Sequence, residues 1–333
     1  MSEIVLGVGA SHSTLMNTHW HRVVHTERAE AFRDALDAAR RRVALARPDV
    51  VVIVGSNHFR GLWLDLVPAF TVGVGEVVAM GEAGTPKGPQ RTDPEFARAL
   101  AADLVEAGTE VAISARLQID HGQSHAIQYL LGDLGVPVVP LVVNVFARPL
   151  PTLARCVQLG ENLAEAVRRI AGDRRVVVVA SGGLSHRLPW PSDWADPQDD
   201  DEAFLVDAWT NGRGEWERYD RRRREIIVAA RPTIFPEFDR AFLDDLAGGR
   251  LRRYASMTTD ELEAVAGNGG QELRTWLVMA AALGFVPGTP LVYAPMPEWL
   301  TGMGVAVLDP SEGDQRSASP EPESRLDPLG GDR

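Results

Sequence analysis

Three stretches of the chain share one build. IVLGVGASH ends on His12, VVIVGSNHF carries His58, and VVVVASGGLSH ends on His186. Each opens with an apolar run that gives way to small residues just before the histidine. A short unbroken apolar run reads as a strand buried on both faces, the kind found in sheets covered by helices. In such sheets the carboxyl ends of the strands form the ligand crevice. The pattern predicts an α/β fold: a central, mostly parallel sheet flanked by helices, with several histidines delivered to one edge of it. Imidazole both ligates metals and titrates near neutral pH, so this edge points to a metal or proton-transfer site.

The segments between these strands fit a βαβ arrangement. Residues 27–46 are rich in Ala and Arg with helical periodicity, and Pro48 follows them. Asp93 precedes Pro94, an N-cap with a first-turn proline, which predicts a helix over 94–107. Residues 150–171 read as another helix. Residues 111–119 and 136–145 read as strands, the second interrupted by Pro140 and so placed near an edge. Residues 61–93, with many Gly and Pro, read as loops and short strands, and 189–202 as an exposed loop. The part over about 203–285 is mostly helical, broken at Pro232, at Pro236 and at 267–270. A short strand and Pro297-Glu298-Trp299 lie in 292–307. Residues 1–308 read as a single catalytic domain, and 309–333, with few apolar residues, as a disordered acidic tail.

The net charge of -12 argues against nucleic acids and anionic membranes as partners. No apolar run approaches the roughly 20 residues of a membrane span, and the N-terminus lacks the order of a signal peptide. Cys156 is the single cysteine, which excludes intramolecular disulfides and makes a cytoplasmic location the expectation. A homo-oligomer is expected. Arg221 to Arg224 form a basic run, but Glu215, Glu217 and Glu225 flank it, so a solvated helix face is the reading. His19, His21 and His25 read as surface residues of the loop after the first strand.

Five histidines fall at or near strand ends: His12, His58, His121, His125 and His186. None of the pairs has the spacing of a zinc finger or an HExxH helix. A metal held by few histidines needs a carboxylate, and Glu272, in NGGQELRTWLVMAAAL, is the candidate. The same place suits an acid that merely stabilises a helix N-terminus. Two histidines and one carboxylate leave coordination positions open, as in non-haem Fe(II) oxygenases. Such ligands also suit zinc, so a zinc-dependent hydrolase is one alternative and a non-enzymatic binding member of the fold another.

ASHS at His12, PDVVVIVGSNHF at His58, QIDHG at His121, SGGLSH at His186 and GQELRTW at Glu272 stand in the order found in the class III extradiol ring-cleavage dioxygenases, the group of the protocatechuate 4,5-dioxygenase β subunit. The chain resembles that family from about His12 to Gly304, with MPEWLTGMG near the end of the match. The resemblance implies Fe(II) held by His12, His58 and Glu272, with His121 and His186 as the acid–base pair. It implies a catechol-type aromatic substrate and O2, and a muconic semialdehyde type product. Arginines of the helical part, or His125, are the candidates for binding an acidic ring substituent.

Overall fold

The computed structural model describes residues 4–311; of the acidic tail expected over 309–333, residues 312–333 lie outside the described residues. The strands are β1 (Ile4–Ala10), β2 (Val50–Ser56), β3 (Phe70–Met80), β4 (Lys87–Pro89), β5 (Ala112–Ile119), β6 (Val138–Val143), β7 (Val176–Ser181), β8 (Thr289–Met296) and β9 (Thr301–Leu308). They form one sheet in the order β4-β3-β6-β2-β7-β1-β9-β8, with β5 on the other side of β3. The centre, β6-β2-β7-β1, is parallel. The hairpin β8–β9 extends it antiparallel beyond β1, and β3 joins β6 antiparallel.

Every residue of β2, β6 and β7 is buried, which is why their sequences are valine-rich without alternation. The period of two still sorts their side chains. Val50, Val52 and Val54 enter the core that holds Leu100 and Leu163, on the side of helices Pro94–Glu106 and Leu153–Ile170. Val51 and Ile53 enter the opposite core with Phe32 and Leu36 of helix Thr26–Ala46. Asp93 caps its helix as expected, accepting the N–H of Phe96 at 3.0 Å. Cys156 packs in the first core, and burial pushes its thiol up to about 12, which leaves it unreactive.

Three expectations are corrected. The segment 61–93 contains the eleven-residue strand β3, whose pairing with β5 shifts register between Gly73 and Glu76. The glycines there mark a bulge, not a chain of turns. The region 292–307 holds most of both strands of a hairpin, β8 and β9, joined through Pro297–Trp299. Pro140 lies in an interior strand, opposite Ile53 of β2. Val138 donates its N–H to Arg91 on the far side at 2.9 Å, and β3 pairs only from Leu141 onward. The nitrogen of Pro140 faces the gap between these pairings, so its missing N–H costs no ladder bond.

Helix Leu273–Ala282 lies directly on β1. A Cβ on Gly9 would fall 2.3 Å from the Trp276 ring, so only glycine permits this approach. Among the described residues no helix is long and apolar enough to cross a membrane.

Candidate active site

β2, β7 and β1 are parallel neighbours, so their carboxyl ends share one edge of the sheet. His58, His186 and His12 follow those ends, and all three are buried. His121 arrives from elsewhere. β5 ends at Ile119, Asp120 caps the short helix His121–Ala126, and the His121 ring stacks near His58 with centroids 3.9 Å apart. Glu272 comes from the turn Gly269–Glu272 that opens helix Leu273–Ala282. Its Oε1 stands 3.0 Å from His58 Nε2 and 3.9 Å from His12 Nε2. Its Oε2 accepts the backbone N–H of Gly183. The carboxylate makes no capping bond to its own helix and faces the imidazoles instead. A Cβ on Gly183 would lie 2.6 Å from Thr301 Oγ1 and 3.2 Å from Glu272 Oε2, which accounts for the small residues after β7.

His12 Nδ1 pairs with Ser181 Oγ at 3.0 Å, while its Nε2 is buried without a hydrogen-bond partner. Burial drives His12 down to about 3, against the pull of Glu272. His58 goes the other way. Burial would lower it, but hydrogen bonds and charge from Asp120 and Glu272 raise it to about 10. Burial would raise Glu272, yet His12 and His58 hold it below the usual carboxylate range. The site thus offers an unpartnered imidazole nitrogen where nearby carboxylates favour positive charge, conditions that fit a divalent cation. The ligand nitrogens of His12, His58 and His121 lie within 4.8 Å of one another, as do donor atoms of Glu82, Asp120 and His121. The buried histidine cluster could therefore hold a metal.

The remaining imidazoles are fixed by their Nδ1 atoms. His186 Nδ1 lies 2.9 Å from the carbonyl oxygen of Leu184 and 3.0 Å from Thr301 Oγ1. A carbonyl only accepts, so this bond assigns the proton of the neutral ring to Nδ1 and leaves the lone pair on Nε2. Burial lowers the His186 pKa, opposed by Glu272, which favours that neutral form. His121 Nδ1 lies 2.7 Å from Glu82 Oε1, which also accepts the His121 backbone N–H at 2.8 Å. Burial works against the Glu82 anion, but His121 and Arg60 hold its pKa low.

The turn that carries His186 is clamped by Asp239, which accepts the N–H of Ser185 at 2.8 Å and the hydroxyl of Tyr293 at 2.7 Å. Burial raises Asp239 to about 6 against these bonds. A carboxylate pKa above its unfolded value means the folded state binds the proton more readily. The stability this group contributes is present at low pH and is lost as pH rises from about 4 to about 6. Asp239→Asn should remove that slope. Relative to the parent, the variant should gain on the order of 2–3 kcal/mol of unfolding free energy between pH 4 and pH 7. Urea titrations at a series of pH values would measure this, and a difference that stays constant with pH would refute it.

A cavity of about 60 Å³ opens onto His12, His58, His121, His186 and Glu272. Phe146 and Trp190 wall it, with ring centroids 5.1 Å apart. Arg223 also lines it, which corrects the reading of 221–224 as a wholly solvated face. In helix Trp216–Ala229 the residues Tyr219, Arg223 and Ile226 form the inward stripe, while Arg221, Arg222 and Arg224 are exposed. His125 is buried behind His12, with ring centroids 5.9 Å apart, and does not line the cavity. His21 is exposed, and His25 is half-buried and pairs with Glu298 at 3.0 Å.

Residues 7–304 match the family described as the catalytic LigB subunit of aromatic ring-opening dioxygenase. The chain belongs to this family. It is similar to proteins named 2,3-dihydroxyphenylpropionate/2,3-dihydroxicinnamic acid 1,2-dioxygenase. The relative from Rhodococcus sp is 35% identical over 89% of this chain and 95% of its own length. One from Rhodococcus jostii is 34% identical over the same shares, 89% and 95%. One from Klebsiella pneumoniae is 34% identical over 80% of this chain and 87% of its own. Membership in the LigB family makes the chain a ring-cleaving dioxygenase and sets aside the hydrolase and the non-enzymatic alternatives.

Within this LigB-family site, several groups escaped sequence reasoning. Asp120 takes the His58 backbone N–H on Oδ2 at 2.6 Å, and Glu82 holds His121 from 39 positions away. No local pattern announces a carboxylate that acts over such a separation. Arg223 did leave a signal: it lies four residues after Tyr219, on the apolar stripe of its helix.

Proposed function

We propose that the chain is an Fe(II)-dependent extradiol dioxygenase that opens a substituted catechol beside its diol to a muconic semialdehyde type product. The observation that carries this reading is the convergence of His12, His58 and Glu272 on one point, with two further imidazoles, His121 and His186, around it. His12, His58 and Glu272 would hold the metal, and a set of two histidines and a carboxylate leaves open positions that suit Fe(II). Once bound, Fe(II) would supply the redox chemistry that lets O2 react with an electron-rich catecholate.

The chain's own groups account for the proton transfers. His186 Nε2, with its lone pair free, takes the proton of a catechol hydroxyl, and Leu184 keeps the ring in that tautomer. His121, anchored through Nδ1 by Glu82, donates a proton as the ring opens. Phe146 and Trp190 provide an apolar wall against the aromatic ring. The names of the relatives specify a catechol with a three-carbon acid chain beside the diol, and we take a catechol of that kind as the substrate.

The test is oxygen stoichiometry with isotope. Protein loaded anaerobically with Fe(II) and given ¹⁸O₂ should consume one O2 per catechol. Product trapped before solvent exchange should carry both labelled atoms. One labelled atom would indicate a monooxygenase, and ring opening without O2 uptake would end the proposal.

A further inference from the structure

Arg223 is 8% exposed, and its guanidinium feels the charge of Glu82 and Asp220 without a direct hydrogen bond or ion pair to either among the described residues. The carboxylates nearby are already engaged. Glu82 takes His121 on one oxygen and Arg60 on the other, at 2.7 and 3.2 Å. Asp220 takes Trp216 Nε1 at 3.1 Å and Arg224 Nε at 2.8 Å. What does hold Arg223 is the Trp216 ring, whose centroid lies 5.0 Å from its Cζ; Arg60 lies at 3.8 Å from the same ring. Burying a cation whose neighbouring carboxylates bond to other groups is costly, and a second arginine on the same indole adds repulsion. Burial lowers the Arg223 pKa against the opposing charge of Glu82, and a guanidinium keeps its charge where an ammonium would shed its proton.

The position of this cation gives it a use. A second cavity, of about 570 Å³, adjoins the inner one, and Thr14, Arg223 and Ile227 line both. In the proposed function the catechol ring sits at the inner cavity, against the histidines. The three shared residues offer a ring substituent a way from the inner cavity toward the outer one. A substituent that takes this way passes the Arg223 guanidinium, which lines both cavities.

We infer that Arg223 binds the carboxylate of an acidic ring substituent and makes the enzyme selective for catechols whose side chain ends in an anion. A guanidinium forks bidentately onto a carboxylate, so the bond would fix the side chain and, through it, the orientation of the diol. Binding of the anion would give the buried cation a direct hydrogen-bonded partner. The inference rests on the ring-cleavage reading for the identity of the ring, and deepens it by naming the residue and charge that select the side chain.

The experiment compares 2,3-dihydroxyphenylpropionate with its uncharged amide. Anaerobic titrations of the metal-free protein, followed by tryptophan fluorescence, measure binding without turnover. The parent should bind the acid roughly 10–100-fold more tightly than the amide, the worth of one charged hydrogen-bonded contact. Arg223→Gln should bring that ratio near one, and Arg223→Lys should restore part of it. An equal affinity of the parent for acid and amide would overturn the inference with no variant needed, as would an undiminished ratio in Arg223→Gln. Fe(II)-loaded parent given O2 and each compound tests the other reading separately. Ring opening without preference removes the role of Arg223 alone. Preferential binding with no ring opening leaves Arg223 in place and removes the dioxygenase reading for this substrate.

Discussion

Glu272→Ala should lose its metal and its ring-cleaving activity together, and so should His12→Ala and His58→Ala. Each removes a donor from the point where Glu272 Oε1 meets His58 Nε2 at 3.0 Å and His12 Nε2 at 3.9 Å. The loss should far exceed the roughly 10–100-fold in metal affinity typical of changing a group that only orients a ligand. Asp120→Asn supplies that smaller reference, because Asp120 stands behind His58 and does not itself line the cavity. Iron content after anaerobic loading, measured beside kcat/KM, decides the matter. The nitrogens of His12, His58 and His121 also lie close enough to form a three-histidine set. If Glu272→Ala kept its iron while His121→Gln lost it, that set would hold the metal and the proposed assignment would fall.

The second large effect is expected at His186. Replacing it with Gln removes the Nε2 lone pair and should slow turnover by roughly 10²–10⁴-fold, the usual worth of a positioned general base. The variant should keep its iron, since His186 stands outside the proposed ligand set. Anaerobic mixing with catechol should show slow loss of the substrate proton. His121→Gln should instead deprotonate the substrate at the parent rate and slow only after O2 is admitted. Single-turnover experiments separate the two. Identical defects before O2 in both variants would show that the two imidazoles do not divide the work.

The central strands were legible because burial on both faces leaves no alternation, and a run such as VVVVAS admits few other readings. The helices were legible to within a few residues, through caps such as Asp93. What stayed hidden depended on three-dimensional neighbours. β3 was obscured by glycines that serve a bulge, and Pro140 looked like an edge marker because the gap in its ladder comes from strands remote in sequence. Within the site, His12, His58 and His186 were visible as strand-end histidines. Glu272 was visible as a carboxylate but not as one turned away from its own helix. Asp120 and Glu82 could not be foreseen, because what they do is orient a partner reached through the fold. Charge counting misread Arg223, since flanking glutamates described the exposed face of the helix and said nothing of its inner one.

The direct seating of helix Leu273–Ala282 on β1, through the Gly9–Trp276 contact, bears on how such an enzyme can change. The carboxylate and the strand-end histidines ride on elements in van der Waals contact, so their spacing is as stiff as the core and admits little variation. Arg223 and Ile227 ride on a different helix, Trp216–Ala229, which bears none of those groups. Substitutions there can reshape the outer cavity while the reacting centre stays put. The architecture thereby separates what is done to the ring from which ring is admitted, and a lineage could diversify its diet by drifting in one helix.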